Sequence, residues 1–266
     1  MNLTRIEPLY LNDKYLWKYL DIHKFLYFLY EKKIYFARLD RLEDPNEGLP
    51  HSIIREIYEC ELFPDEKHLN PHLFPDKKAA LKQNRVNIKN LKDESDKIQK
   101  IQYVNCWFAG EREAYSMWSI YSNPDSVVLR FNSDELLKAV DKSLQKTSGN
   151  SWIEIVVCGF VQYQKVYPPE YDYAKYIAPT NKYSALKKDL SYSAENEFRF
   201  IVISKKIHEK KTKFEIKVED FHNLDFHIIT HPKMEDWMYN NIKNTLQPFG
   251  LEKKLIKSEI KLRSRL

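Results

Sequence analysis

Glu195, Glu197 and Arg199 occupy alternate positions just ahead of the apolar run Phe200-Ile201-Val202-Ile203. That run has the β-branched and aromatic character of a buried strand. A strand turns every second side chain to one face, so this spacing predicts two carboxylates and a guanidinium lined up together. Such a cluster at the mouth of a buried strand is expensive to keep for packing alone. Neighbouring carboxylates push their pKa values apart, giving one acid that stays neutral and one that stays ionised. The arginine would orient one of them or grip an anionic ligand through two hydrogen bonds. The competing structural account is an exposed edge strand whose charges deter aggregation.

Three other places hold groups capable of chemistry. Asp44-Pro45-Asn46-Glu47-Gly48 is turn chemistry by composition, yet Asp44 or Glu47 would become functional if the turn faced a cleft, with Arg38 or Arg41 nearby. Met117, Trp118 and Tyr121 share a helical face, which marks core more often than a cofactor wall, although Trp118 and Tyr121 would also stack on a base or a nicotinamide ring. Cys106 has no histidine near it in sequence and so lacks the partner a thiol nucleophile needs. The His227/His231 and His68/His72 pairs have the spacing of a helical metal pair, but both fall in strand-like or proline-interrupted sequence and are read as structural.

The elements that would position these groups follow from pattern. Residues 13–30 read as an amphipathic helix capped by Asn12 or Asp13, and 33–37 as a short strand. Helix is expected around 56–60. A charged, proline-punctuated stretch over 63–75 then leads into a long polar helix over 77–100, the pair forming a lid or hairpin outside the core. Strands are expected at 103–108, 126–131, 153–166, 213–218 and 226–230. Helices are expected at 113–121, from a Ser133 cap to about 143, and at 233–246, with a basic strand at 253–260. This order predicts an α+β fold, a mixed and largely antiparallel sheet system flanked by helices. One domain over 1–266, with a charged helical insertion at about 61–101, is the simplest organisation.

Composition narrows the function classes. The 266-residue chain is 43% hydrophobic and 14% aromatic, which suits a globular fold. Five glycines and the absence of GxGxxG or GxxxxGK[ST] argue against phosphate cradles of the Rossmann or P-loop kind. Cys60, Cys106 and Cys158 form no CxxC pair, which fits a reducing compartment and offers too few ligands for structural zinc. No apolar run is long enough to span a bilayer and the first residues lack a signal-peptide core, so a cytoplasmic protein is expected. The net charge of +5 is concentrated: residues 76–100 carry eight Lys/Arg against four acids, and 251–266 six against two. Such segments would meet phosphates of a nucleic acid, while basic residues on helices are also ordinary solvated surface.

Taken in order, several pieces resemble a bacterial family, the domain-of-unknown-function family twenty-nine seventy-one. They are Lys18-Tyr19, Ile34-Tyr35-Phe36-Ala37 ahead of the Asp44–Gly48 turn, Val104-Asn105-Cys106-Trp107-Phe108, Met117-Trp118-Ser119-Ile120-Tyr121 ahead of Val127–Phe131, the approach from Lys182 to Lys187, and Glu195-Asn196-Glu197-Phe198-Arg199. Ile120 stands where the family often has histidine, and Phe198 where tryptophan is commoner. More loosely, Ser193-Ala194-Glu195-Asn196-Glu197 is similar to the Glu-x-Glu signature of mono-ADP-ribosyltransferases. That resemblance implies a split-sheet NAD cleft. Glu197 would stabilise the charge that develops at the ribose as nicotinamide leaves, and Glu195 would orient or deprotonate the acceptor. Asn105-Cys106-Trp107 stands where that group has Ser-Thr-Ser.

The leading expectation is an NAD-using, ADP-ribosyltransferase-like enzyme acting on a nucleic-acid or protein acceptor. Its catalytic residues would be Glu197 and Glu195, and its cofactor contacts would come from Arg38, Tyr35, Lys18, Tyr19, Trp118 and Tyr121. The alternatives are a nuclease or phosphodiesterase using Asp44, Glu47, Glu195 and Glu197 around Mg2+, and a non-catalytic nucleic-acid or protein-binding module.

Overall fold

In the computed structural model, residues 2–7, 9, 11, 14–61, 75–147, 151–165, 179–218 and 221–261 are described. From the N-terminus, β1 (Leu3–Arg5), β2 (Tyr15–Leu20), α1 (Ile22–Glu31) and β3 (Lys33–Arg38) precede the helices α2 (His51–Glu61) and α3 (Lys77–Lys100). Next come β4 (Gln102–Gly110), α4 (Tyr115–Tyr121), β5 (Val127–Asn132), α5 (Ser133–Lys146), β6 (Ile153–Phe160) and β7 (Gln162–Gln164). The chain continues with β8 (Lys187–Asp189), β9 (Glu197–Ser204), β10 (Lys213–Lys217), β11 (Phe226–Thr230), the helix α6 (Asp236–Leu246) and β12 (Leu255–Lys257).

Ten strands make one sheet in the order β1-β6-β9-β4-β2-β5-β11-β12, with β3 joined to β4 and β10 to β3, and β7 and β8 pair separately. Pairing is antiparallel except for β1/β6, β11/β12 and β7/β8. The fold is therefore the expected α+β type with a mixed, largely antiparallel sheet. β9 lies between β6 and β4 and is buried along its whole length, which explains its unbroken apolar run. Its alternation sends Phe198, Phe200 and Val202 to the face covered by α1 and α5. Ile201 and Ile203 go to the opposite face with Leu39, Val104 and Leu186. Glu197 and Arg199 share that second face by the same alternation.

The sheet forks along β4. Its C-terminal half pairs with β2 (Trp17 opposite Phe108) and its N-terminal end with β3 (Ala37 opposite Val104). Main-chain groups in the fork must find other partners. Lys18 Nζ donates to the Cys106 carbonyl at 2.6 Å, and Asn105 Nδ2 donates to the Tyr35 carbonyl at 2.7 Å.

Several boundaries differ from the sequence expectation. The helix expected over 13–30 is a strand followed by a helix: β2 holds Lys18 and Tyr19, and α1 starts after Asp21, whose carboxylate accepts the Lys24 N–H. Tyr15-Leu16-Trp17-Lys18-Tyr19-Leu20 packs apolar groups on both faces, and such a run carries no period that separates helix from strand. The candidate caps Asn12 and Asp13 lie outside the described residues, as do His68, His72 and nearly all of 63–75. Asn132 rather than Ser133 caps α5. The terminal strand is shortened to Leu255–Lys257, and the helix before it starts at Asp236. Helix α3 matches 77–100 and packs on α2, with Lys82, Arg85, Lys89, Lys92 and Lys97 turned to solvent.

Candidate functional site

Glu195 is not on the strand. It closes a short 3-10 helix (Leu190–Glu195), and Asn196 follows in the left-handed region at φ 37°. Asparagine tolerates that conformation better than most residues, and its side-chain amide is anchored on the Ala109 carbonyl. The kink breaks the alternation assumed for Glu195/Glu197/Arg199, yet it swings Glu195 back beside Glu197. The trio is together, by a turn rather than by a shared strand face, and on an interior strand rather than an exposed edge.

Arg199 organises the cluster. Its Nε and Nη2 clasp both oxygens of Glu197 at 2.7 and 2.9 Å, while Nη1 donates to Glu47 Oε1 at 2.6 Å and to the Ala185 carbonyl at 2.7 Å. Glu47 comes from the Asp44–Gly48 turn, 152 residues away in sequence. That turn is set by three contacts. Gln99 at the end of α3 donates to the carbonyls of Pro45 and Glu47, both at 2.9 Å, and Ser184 donates to the Gly48 carbonyl at 2.6 Å. Gly48 sits at φ 69°, and a Cβ there would come within 2.1 Å of Leu39 Cδ1, so only glycine closes the turn.

The residue missed in the sequence is Lys188. It stands on β8, paired with Tyr163 of β7. Its ammonium lies 2.5 Å from Glu195 Oε2, 3.0 Å from Glu197 Oε1 and 3.5 Å from Glu47 Oε2, with the Tyr192 ring 4.4 Å away. Nothing about a Lys187-Lys188 pair in a charged stretch separates it from surface lysines; its short distance from Glu195 in sequence is the one available hint. Tyr163 accepts the Glu197 N–H at 2.8 Å, and Tyr121 donates its hydroxyl to Glu195 Oε1 at 2.6 Å.

Three carboxylates and two cations thus form a buried set that carries one excess negative charge when all are ionised. The two neighbouring glutamates respond in opposite directions. Burial and the adjacent Glu197 push Glu195 above the ordinary glutamate value. Burial would also raise Glu197, but the Arg199 guanidinium, with Lys188 behind it, holds that carboxyl well below the usual range. Lys188 is held above its ordinary value by Glu197, Glu47 and Glu195 in spite of its burial. Burial and Glu195 together raise Tyr121.

Two members of the cluster, Glu47 and Lys188, line a cleft of about 200 Å3, together with Asp44, His51, Lys187 and Tyr192. This volume is below the roughly 300–1,000 Å3 of pockets for drug-sized ligands and suits a single ring or sugar. Among the described residues, no group of three or more His, Cys, Asp and Glu side chains is placed to share a metal ion.

The remaining candidates lie elsewhere. Arg38 is buried against Asp40 and the carbonyls of His208, Glu209 and Lys211. Tyr35 is exposed on β3, with the Lys213 ammonium 5.7 Å from its ring. Trp118 is fully buried, edge-on to Tyr19 and His231, and Tyr19 is tied to Ala114; these residues pack α4 on the sheet, so that only Tyr121 of this group reaches the cluster. Lys18 stays in the fork, where burial lowers its pKa. Cys106 faces Arg199 across the β4/β9 pair, and burial pushes its thiol up to about 12, far from thiolate chemistry at neutral pH.

The family model "Protein of unknown function (DUF2971)" matches residues 117–200. That stretch runs from α4 into β9 and holds Tyr121, Lys188, Glu195, Glu197 and Arg199, while Glu47, Asp44 and His51 lie outside it. Neither a curated protein nor a solved structure matches the chain. Among the described residues, no helix is long and apolar enough to cross a membrane.

Proposed function

We propose that the chain is a glycosyl-transferring enzyme of the ADP-ribosyltransferase kind, using NAD as donor and a nucleic-acid or protein acceptor. The observation that carries this reading is the opposite displacement of two neighbouring glutamates, Glu195 upward and Glu197 downward, both held by Lys188, which lines the cleft. Pairs displaced in this way divide acid–base work between them.

Glu197 serves as the fixed anion. Arg199 holds its carboxyl well below the usual range, so it acts through its charge, opposing the positive charge that grows at the ribose carbon as the bond to the nicotinamide nitrogen breaks. The bonding electrons leave with that nitrogen. Glu195 takes the acceptor's proton while the acceptor oxygen or nitrogen bonds to the ribose carbon. A carboxylate raised above its ordinary value is the stronger base for this step. Tyr121 holds its orientation, and Tyr192 offers an aromatic wall at the cleft. The exposed basic side of α3 supplies attraction for a phosphate-bearing acceptor.

The test is calorimetric NAD binding together with nicotinamide release, assayed with RNA, DNA and protein acceptors. Wild type is expected to bind and release. Glu197→Gln should keep binding and lose about 10^2–10^3 in rate, the scale of a missing transition-state electrostatic contact. Wild type that neither binds NAD nor releases nicotinamide with any acceptor would sink the reading.

A further inference from the structure

Lys187 is only 9% exposed and lines the cleft, and its ammonium makes no hydrogen bond or ion pair with any described residue. Among the described residues nothing cancels the Lys187 charge at the cleft, whereas its neighbour Lys188 is neutralised by internal carboxylates. Across the same cleft stands the first turn of α2, which begins at His51 directly after Pro50 and has no acidic side chain of its own. The Pro50 carbonyl takes the N–H groups of Ile53 and Ile54. Among the described residues the main-chain N–H groups of His51 and Ser52 have no main-chain acceptor, and a helix favours negative charge at this end. Two acids, Asp44 and Asp189, also line the cleft; Asp44 accepts the Asn46 N–H and Asp189 the Ser191 N–H, both at 2.9 Å.

We propose that this cleft is an anion subsite, in which Lys187 and the open turn of α2 hold a phosphoryl group of the ligand. The volume beside it leaves room for one sugar, so the ligand class is a phosphorylated sugar whose ring lies toward Glu47 and Lys188. The sugar half of this assignment rests on the glycosyl-transfer reading; the anion half stands on Lys187 and α2. His51 adds a neutral ring to the site, since burial and Lys187 both lower its pKa.

Thermal unfolding of the full chain, titrated with inorganic phosphate and with ribose 5-phosphate at ionic strength fixed by chloride, tests both halves. Wild type should be stabilised by both, and more tightly by the sugar phosphate. Lys187→Met should weaken both by about tenfold or more, the loss of one charge-assisted contact. Its ligand-free Tm should equal or exceed that of wild type, because the charge removed has no partner among the described residues. Lys187→Arg should retain most of the binding, and Glu197→Gln should retain phosphate. Equal stabilisation of wild type and Lys187→Met, or none of wild type, would overturn the subsite. Phosphate bound through Lys187 with no gain from the ribose would uphold the subsite and remove the sugar, and with it support for glycosyl transfer.

Discussion

Arg38 and Arg199 are both strand residues, both almost wholly buried, and each grips one carboxylate with two nitrogens. Their surroundings differ in one respect. Arg38 meets a single acid, Asp40, and spends its remaining donors on the carbonyls of His208, Glu209 and Lys211. That is a neutral pair pinning the loop between β9 and β10. Arg199 meets two acids, and a second cation and a third acid complete the set, leaving excess charge beside a cleft. A buried arginine is therefore no mark of a site. What distinguishes the second region is charge that its own members do not cancel, and titrating groups displaced in opposite directions as a result.

The largest test of this contrast is removal of each guanidinium. Arg199→Met leaves Glu47 and Glu197 facing a buried gap and should cost about 3–5 kcal/mol in urea unfolding. Arg38→Met should cost about 1–3 kcal/mol, since Asp40 can hydrate and only carbonyls lose donors. Equal losses would break the contrast.

The glutamates come next. The folded pKa of Glu197 is depressed, so its contribution is present above the unfolded value near 4.5 and disappears as pH falls through the lower folded value. The folded pKa of Glu195 is raised, so its contribution is present below the unfolded value and is lost as pH rises through the folded one. Replacing Glu197 by Gln should therefore flatten the acid limb of a stability–pH curve. Glu195→Gln should gain on wild type as pH rises past the folded pKa of Glu195. Parallel curves for the two variants would show that the two glutamates titrate alike.

Smaller effects sharpen the local account. Tyr121→Phe removes the hydroxyl that Glu195 accepts and should cost about 1 kcal/mol, the worth of one hydrogen bond. The cost should depend on pH, unlike that of a packing change at the same position. Asn196→Ala should cost about 1–2 kcal/mol through its left-handed backbone, with Asn196→Gly recovering most of that. An equal loss in both variants would assign the effect to the Ala109 hydrogen bond instead.

Much of this was legible in the chain. Helix α3 was visible as a long polar helical segment over 77–100, and β9 as an apolar run with charges at its start. Glu197 and Arg199 share a face because a strand's period of two is a local property. Asp44-Pro45-Asn46-Glu47-Gly48 is a turn because its composition demands one. By contrast, β2 read as helix, since a strand packed on both sides has no alternation to betray it, and the left-handed bend at Asn196 moved Glu195 off the strand where alternation had put it.

What the sequence determined by itself is the set of short-range facts: which residues kink, turn or alternate, and that two glutamates and an arginine lie within five positions. What only the tertiary structure decided is charge balance. Glu47 joins from 152 residues away, Lys188 turns inward because β7 and β8 pair, and Arg38 is spent on a loop. Local pattern fixes direction along the chain, but whether a charge is cancelled depends on groups brought together by long-range packing, and no spacing rule reaches that far.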